Sequence, residues 1–404
     1  PYNFTINIKT TNPQILLERR VLGIKNIQTN IALKSLINNQ FSIDNLQIKT
    51  KEINLGDLVA LVKVFQNSTQ LFVLNTIIKD GFVSADINLN FDKEGKLKEN
   101  YKIIGSIKKT KLHILNKFKL KNLNFKFDIK KNVYSFRQID VKFNDIKVTS
   151  PSLKINKNKN SFFVSGKFLT DKKNLNIGEL KSTFNNLFDN VDIQKIEFSS
   201  SNTFSFNINK NFKFDDFKVD SIIDVDELIF KEKKLNLKKY FPSFIEDVKL
   251  QGHKIIINYY NSKFDIKGNG NILFEDKIDK LTYQIIKEDS NFLFNSKVSL
   301  KNNSLIIDFL DYEKKEGSDS LISFNGNFKK NNQLRIDLIS LKEQNNEISI
   351  EGLDLNKKYK IRDIKNIIFN YKNNQKILNK LKLKKNHSNF IIEGESFDAS
   401  KMIN

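Results

Sequence analysis

The chain contains no cysteine, no tryptophan, one methionine and three histidines in 404 residues. Without cysteine there are no disulfides and no thiolate zinc or iron–sulfur sites. His113, His253 and His387 lie far apart and leave little material for a metal centre or a histidine-based triad. No stretch approaches about 18 uncharged apolar residues, so the sequence holds no membrane-spanning helix. Arginine is confined to Arg19, Arg20, Arg137, Arg335 and Arg362, although Lys+Arg total 68 against 46 Asp+Glu, a net charge of +22. At 39% hydrophobic the chain is too apolar to be disordered. It opens on Pro1 and closes on Lys401-Met402-Ile403-Asn404, which reads as an internal piece of a longer protein whose signal or anchor lies outside it.

Lysine, asparagine, isoleucine and phenylalanine are abundant together, the combination that AT-rich codons produce. A solvated lysine face accounts for the charge; an anionic partner such as lipid headgroups is the sharper reading. Sequence-specific nucleic-acid readers use the bidentate fork of arginine. Here the lysines spread from Lys9 to Lys401, and no nucleic-acid partner is expected.

What dominates is alternation with period two. Leu123, Phe125, Phe127 and Ile129 are separated by Asn124, Lys126 and Asp128. Phe204, Phe206 and Ile208 repeat the pattern, as do Ile255, Ile257 and Tyr259, then Phe264 and Ile266, then Leu281, Tyr283 and Ile285, and Leu334, Ile336 and Leu338. Successive strand side chains point to opposite faces, so one face is apolar and the other polar, as in an antiparallel sheet covered on one side. Asp92-Lys93-Glu94-Gly95, Lys130-Lys131-Asn132, the asparagine-rich 156–160, Asp171-Lys172-Lys173-Asn174 and Lys329-Lys330-Asn331-Asn332 read as turns, with Asn and Gly at left-handed corners. An F-x-F-x-I-x-K-N phrase occurs at Phe125–Asn132 and Phe204–Asn211, the same hairpin grammar used twice. Short helices are predicted at Pro13–Gly23, with Asn12 as cap, in two pieces over Leu55–Asp80 broken at Gln66–Thr69, at Asn176–Asp189 and at Leu305–Asp311.

Roughly 25 strands fit this length. A single sheet of that many is on the order of 120 Å across, and its apolar face must roll into a groove, pack as a sandwich or close as a barrel. The expected class is mainly β: a long antiparallel sheet curled into an open groove, with a few short helices. Residues 1–53 read as N-terminal strands and a short helix, 54–92 as an apolar helical segment leading into a strand, and 93–404 as the extended β-groove. The alternatives are an ordinary β-sandwich array and a membrane barrel, the latter disfavoured by the missing tryptophan and the charge-rich runs.

No catalytic motif is present: no P-loop, no G-x-S-x-G, no H-E-x-x-H. Gly268-Asn269-Gly270 sits inside a strand pattern and reads as a bulge or close-packing site. Asp220, Asp224, Asp226 and Glu227 lack the spacing and glycine of a calcium loop and read as solvated. Asp308, Asp311 and Glu313 are expected to pair at the surface with Lys314 and Lys315. The sequons at Asn3 and Asn67 are chance matches in an asparagine-rich chain. The chain is expected to carry no catalytic, cofactor or metal residues.

Several stretches resemble the AsmA-like superfamily, in particular the YhdP-like and AsmA-C-terminal-type envelope proteins of Gram-negative bacteria. Asn54–Phe65 followed by Leu74–Val83 and the run through Phe91 resembles their apolar helix entering a strand. Asn303–Gly317, with Tyr312 as its aromatic, resembles an inter-strand joint, and Glu393-Gly-Glu-Ser-Phe-Asp-Ala-Ser400 a C-terminal joint. The resemblance implies a periplasmic portion of a protein anchored to the inner membrane by a segment outside this chain. It further implies a curled β-groove and phospholipid traffic between inner and outer membranes, supporting envelope integrity, with no catalytic residues to transfer. On that reading Phe125, Phe127, Ile129, Phe204, Phe206, Ile208, Ile255, Ile257, Phe264 and Ile266 line a groove for phospholipid acyl chains. The rivals are a structural β-sandwich array and an outer-membrane-protein assembly factor that uses sheet edges and carries no lipid.

Overall fold

A computed structural model describes residues 4–17, 20–38, 40–41, 43–65, 72, 75–114, 118–144, 146–176, 178, 192–211, 213–231, 236–244, 246–274, 276–289, 291–329, 333–356, 360–387 and 389–403. Strands dominate, as the period-two pattern predicts. The chain divides into two compact units, residues 1–171 with 201–217 and residues 172–200 with 218–404.

The first unit is built from β1 (Thr5–Thr11), β2 (Gln14–Leu17), β3 (Arg20–Ala32), β4 (Ile43–Thr50), β5 (Ile53–Asn54), β6 (Ile78–Asn90), β7 (Lys102–Ile114), β8 (Phe118–Lys130), β9 (Val133–Phe143), β10 (Ile146–Lys157) and most of β11 (Ser161–Asn176). Helices α1 (Leu33–Ile37) and α2 (Leu55–Phe65) interrupt them. The pairing is antiparallel throughout and runs β1, β3, β4, β6, β7, β8, β9, β10, β11, with β2 beside β3 and β5 beside β6.

Strands β12 (Asp192–Asn209) and β13 (Phe214–Lys231) follow. The second unit continues with β14 (Asp247–Tyr260), β15 (Lys263–Leu273), β16 (Ile278–Glu288), β17 (Asn291–Leu300), β18 (Leu305–Ile307), β19 (Tyr312–Lys314), β20 (Ser320–Lys329), β21 (Gln333–Glu343), β22 (Asn346–Leu355), β23 (Ile361–Asp363), β24 (Asn366–Lys372), β25 (Leu378–Asn386), β26 (Asn389–Ser396) and helix α3 (Ser400–Ile403). Its sheet runs antiparallel through β13, β14, β15, β16, β17, β20, β21, β22, β24, β25 and β26. β18 and β19 form a separate ribbon. Among the described pairings β26 has a partner on one side only, and all eight of its residues are exposed, so this sheet has a free edge where a barrel has none.

Two predicted helices are replaced. Pro13–Gly23 is a hairpin: Gln14 stands opposite Gly23 and Leu17 opposite Arg20. Asn12 turns the corner at φ 54°, and Pro13 offers its carbonyl to the Ile24 amide at 3.1 Å. Proline's fixed φ suits an extended chain as well as a helix start, and the hairpin buries Leu22 and Ile24. Leu305–Asp311 is a strand followed by a single 3-10 turn at Asp308–Leu310 and a left-handed corner at Asp311. Seven residues are too few to offset helix nucleation.

The break predicted at Asp171–Asn174 lies inside β11. The polar run persists as strand because its outward side chains find partners, Lys172 reaching Glu197 at 3.2 Å and Asp226 at 3.3 Å. The other turns fall between strands, with Asn132 at φ 61° and Gly95 at φ 80°; Asn331 and Asn332 lie outside the described residues. α2 forms as predicted and Ile78 already belongs to β6. Gln66–Thr69 and the helix predicted over Asn176–Asp189 lie outside the described residues, apart from Asn176, which ends β11, and Gly178.

Candidate functional site

In the first unit, α2 starts where the Asn54 side-chain oxygen accepts the Gly56 amide at 2.8 Å, with Asp57 favourably placed in the first turn. The helix lays Leu55 and Val59 onto β6, β7 and β8. Between them is a cavity of about 360 Å³ lined by Leu55, Leu58, Val59, Ile77, Ile78, Ile107, Thr110, Leu112, Leu123 and Phe125, with no charged side chain. Phe127 is buried in the adjoining core with Leu22, Ile53 and Val83, and Phe125 and Ile129 pack against it. The Phe125 ring meets Phe136 edge-on at 5.6 Å. Three predicted lining residues thus belong together, but only Phe125 reaches the cavity.

Phe204, Phe206 and Ile208 are half-buried on β12. The Phe204 ring stacks on Phe206 at 6.0 Å, and the pair joins Phe168, Phe214 and Phe217 in one aromatic patch. Phe214, 66% exposed, leaves that patch open to water.

In the second unit, Ile257 stands directly opposite Ile266, and Phe264 packs on Phe292 at 5.8 Å. Ile255, Ile257, Phe264 and Ile266 are all half-buried. None of the four lines the large apolar cavity of this unit. That cavity, about 640 Å³, is lined by β20, β21, β22, β24 and β25 through Ile322, Ile339, Leu341, Ile348, Ile350, Ile367, Phe369, Leu381 and Leu383. The run Leu334-x-Ile336-x-Leu338 suggests one continuous face; a register irregularity opposite Asn325–Gly326 ends it and sets Ile339 and Leu341 on the cavity. The loop between β17 and β20 provides a strap, residues 301–319, whose Leu305, Ile307, Phe309 and Leu310 also line the cavity. Phe309 and Met402 remain 44% and 45% exposed at its rim.

The strap is fastened by buried polar groups. The Asp279 carboxylate accepts the amides of Lys301, Asn302 and Asn303 at 2.7, 2.9 and 3.2 Å. Lys314, expected at the surface, is fully buried and donates its Nζ to the carbonyls of Lys301 and Asn303, each at 2.8 Å; burial lowers its pKa. The Glu343 carboxylate accepts the Tyr312 hydroxyl at 2.6 Å, and Ser318 and Asn346 as well. Tyr371 donates its hydroxyl to the Leu310 carbonyl at 2.9 Å. Burial, reinforced by Asp398 and Asp311, pushes the Tyr371 phenol up to about 12. Surface pairing of Asp308, Asp311 and Glu313 with Lys314 is therefore not what forms.

Gly268 and Gly270 are a close-packing site, as predicted: a Cβ at Gly268 collides with the Tyr283 ring, and one at Gly270 with His253. His253 is buried, its Nε2 donating to the Asn271 carbonyl at 2.8 Å and its Nδ1 without a partner. Desolvation lowers its pKa, outweighing that hydrogen bond. On β13, Asp220 pairs with Lys218, Asp226 with Lys172 and Glu227 with Lys195. Among the described residues no group of three His, Cys, Asp or Glu side chains could hold a metal ion. Likewise no described helix is long and apolar enough to cross a membrane. No family model matches the chain, and no curated protein matches it at a significant level.

Proposed function

We propose that the chain is a non-enzymatic, acyl-chain-binding segment of an AsmA-like protein of the periplasm, anchored to the inner membrane elsewhere and serving phospholipid passage between inner and outer membranes. The observation that carries this is the charge-free cavity of about 640 Å³ under the strap, rimmed by exposed Phe309 and Met402. Apolar burial is non-directional and stabilises a bound chain by about 0.8 kcal/mol per CH₂. Such a surface grips acyl chains without a preferred register, which is what sliding along a groove requires. The smaller cavity under α2 and the half-buried aromatic patch of Phe204 and Phe206 extend the same character to the first unit.

Native mass spectrometry of the purified protein, with lipid extraction, tests this. Co-purifying phospholipid is expected, and it is expected to fall at least about tenfold in Phe309→Lys, a rim change that leaves the core intact. A lipid-free protein whose melting temperature ignores added phospholipid sinks the proposal.

The exposed edge strand β26 favours a second reading, in which an unfolded partner adds a strand there. Ile391→Pro then abolishes capture of outer-membrane-protein peptides without altering lipid retention.

A further inference from the structure

The polar face of β6 to β11 carries a row of hydroxyls and cations. Cross-strand register places Ser84 opposite Ser106, Ser106 opposite Lys126, Lys126 opposite Arg137, Arg137 opposite Ser152, and Ser152 opposite Lys167. Six neighbouring strands thus present three hydroxyls and three cations in one line, with no acid among them. At about 4.8 Å per strand the line is roughly 24 Å long. Like charges directly opposite each other destabilise a sheet, and Lys126 faces Arg137 in that way. Among the described residues neither these two nor Lys167 has a carboxylate within 4.0 Å. Of the flanking rows, one holds Asp86, which pairs with Lys49 at 3.5 Å, and Asp128, opposite Ser135, while the other holds Asp140, opposite Asn124.

Beside the row lies a shallow depression of about 370 Å³, whose lining includes Ser135, Arg137, Ser152, Lys154, Ser165 and Asp128. Hydroxyls interleaved with cations match the oxygens of phosphate esters, and Arg137 supplies a fork for two of them. The occupant must be extended and anionic. Single-stranded nucleic acid calls for aromatic platforms among the cations. Of the aromatics here, Phe125 and Phe127 belong to the apolar core side of the sheet, and Phe136, which also borders the depression, packs against that core. We propose that this outward face of β6 to β11 docks on the phosphate surface of an anionic membrane, a contact made by the chain itself and separate from acyl-chain binding on the other face.

The test is co-sedimentation of the full chain with vesicles of phosphatidylcholine alone or with one third phosphatidylglycerol. Two triple variants are compared: Lys126→Gln/Arg137→Gln/Lys167→Gln in the row, and Lys254→Gln/Lys280→Gln/Lys297→Gln, which removes the same charge from exposed positions of the second unit. Binding to the anionic vesicles is expected to drop roughly a hundredfold in the row variant, from the contribution of each cation near an anionic surface. The control triple is expected to lose no more than a few-fold, and salt at about 0.5 M to abolish binding. Equal losses in both triples, equal binding to neutral vesicles, or duplex DNA bound more tightly than vesicles with the same dependence on the row, overturns the proposal. Lipid retained after purification is read separately, so failure here leaves the acyl-chain reading standing and the converse also holds.

Discussion

Lys314 shows how far a single side chain can depart from its type. Its ammonium is fully buried, yet its two backbone acceptors are the carbonyls that open the strap. Lys314→Met fills similar space and orphans both carbonyls, so a loss of about 2 kcal/mol is expected in urea titrations with an unchanged slope. His253 makes a pH prediction. Its folded pKa lies below the ordinary value because burial desolvates the imidazolium, with nearby Lys280 adding to the effect and Nδ1 without a partner. As pH falls through about 6.5 the unfolded chain takes up a proton that the folded chain refuses. Stability is therefore full above that pH and declines below it, down to the depressed folded pKa. Melting temperatures between pH 7.5 and 5 are expected to fall in the wild type and to flatten in His253→Gln. Phe127, packed among Leu22, Ile53 and Val83, should cost about 3–5 kcal/mol when cut to alanine.

At the scale of elements, the strap and the edges carry the interest. The strap is short, contributes one ribbon and one 3-10 turn, and is held by Asp279, Lys314, Glu343 and Tyr371 more than by its own secondary structure. Tyr371→Phe removes the bond to the Leu310 carbonyl and leaves the ring in place. A loss of about 1 kcal/mol is expected, together with faster amide exchange in residues 305–312 than in β21 or β22. Equal exchange in both places would show that the strap opens only with the whole unit. Among the described pairings β26 exposes Phe390, Ile391 and Ile392 on an edge with a partner on one side only, but Lys380 bridges to Glu395 beside it, and charge is one way such edges are protected from aggregation.

For the whole molecule, a net charge of +22 sets colloidal behaviour. Self-repulsion is expected to outweigh the surface ion pairs, which are individually worth little. The melting temperature is expected to rise by a few degrees between about 10 and 200 mM salt as that repulsion is screened. A fall over the same range would mean that the ion pairs dominate.

The alternation of Phe125, Phe127 and Ile129 or of Ile255 and Ile257 was enough to establish strands, their apolar side and most turns, because strand periodicity is a local property of the backbone. Gly268 and Gly270 likewise announced a close approach before their neighbours Tyr283 and His253 were known. The hairpin at Pro13–Gly23 was decided by β3, which offered a pairing edge that a helix would forgo. Ile339 and Leu341 reached the cavity through a register irregularity set by the neighbouring strand, and Lys314 was buried because carbonyls distant from its own turn surrounded it. Local pattern determined which faces are apolar; long-range pairing decided which of those faces enclose space, since a cavity is made by side chains that meet only after the chain has folded.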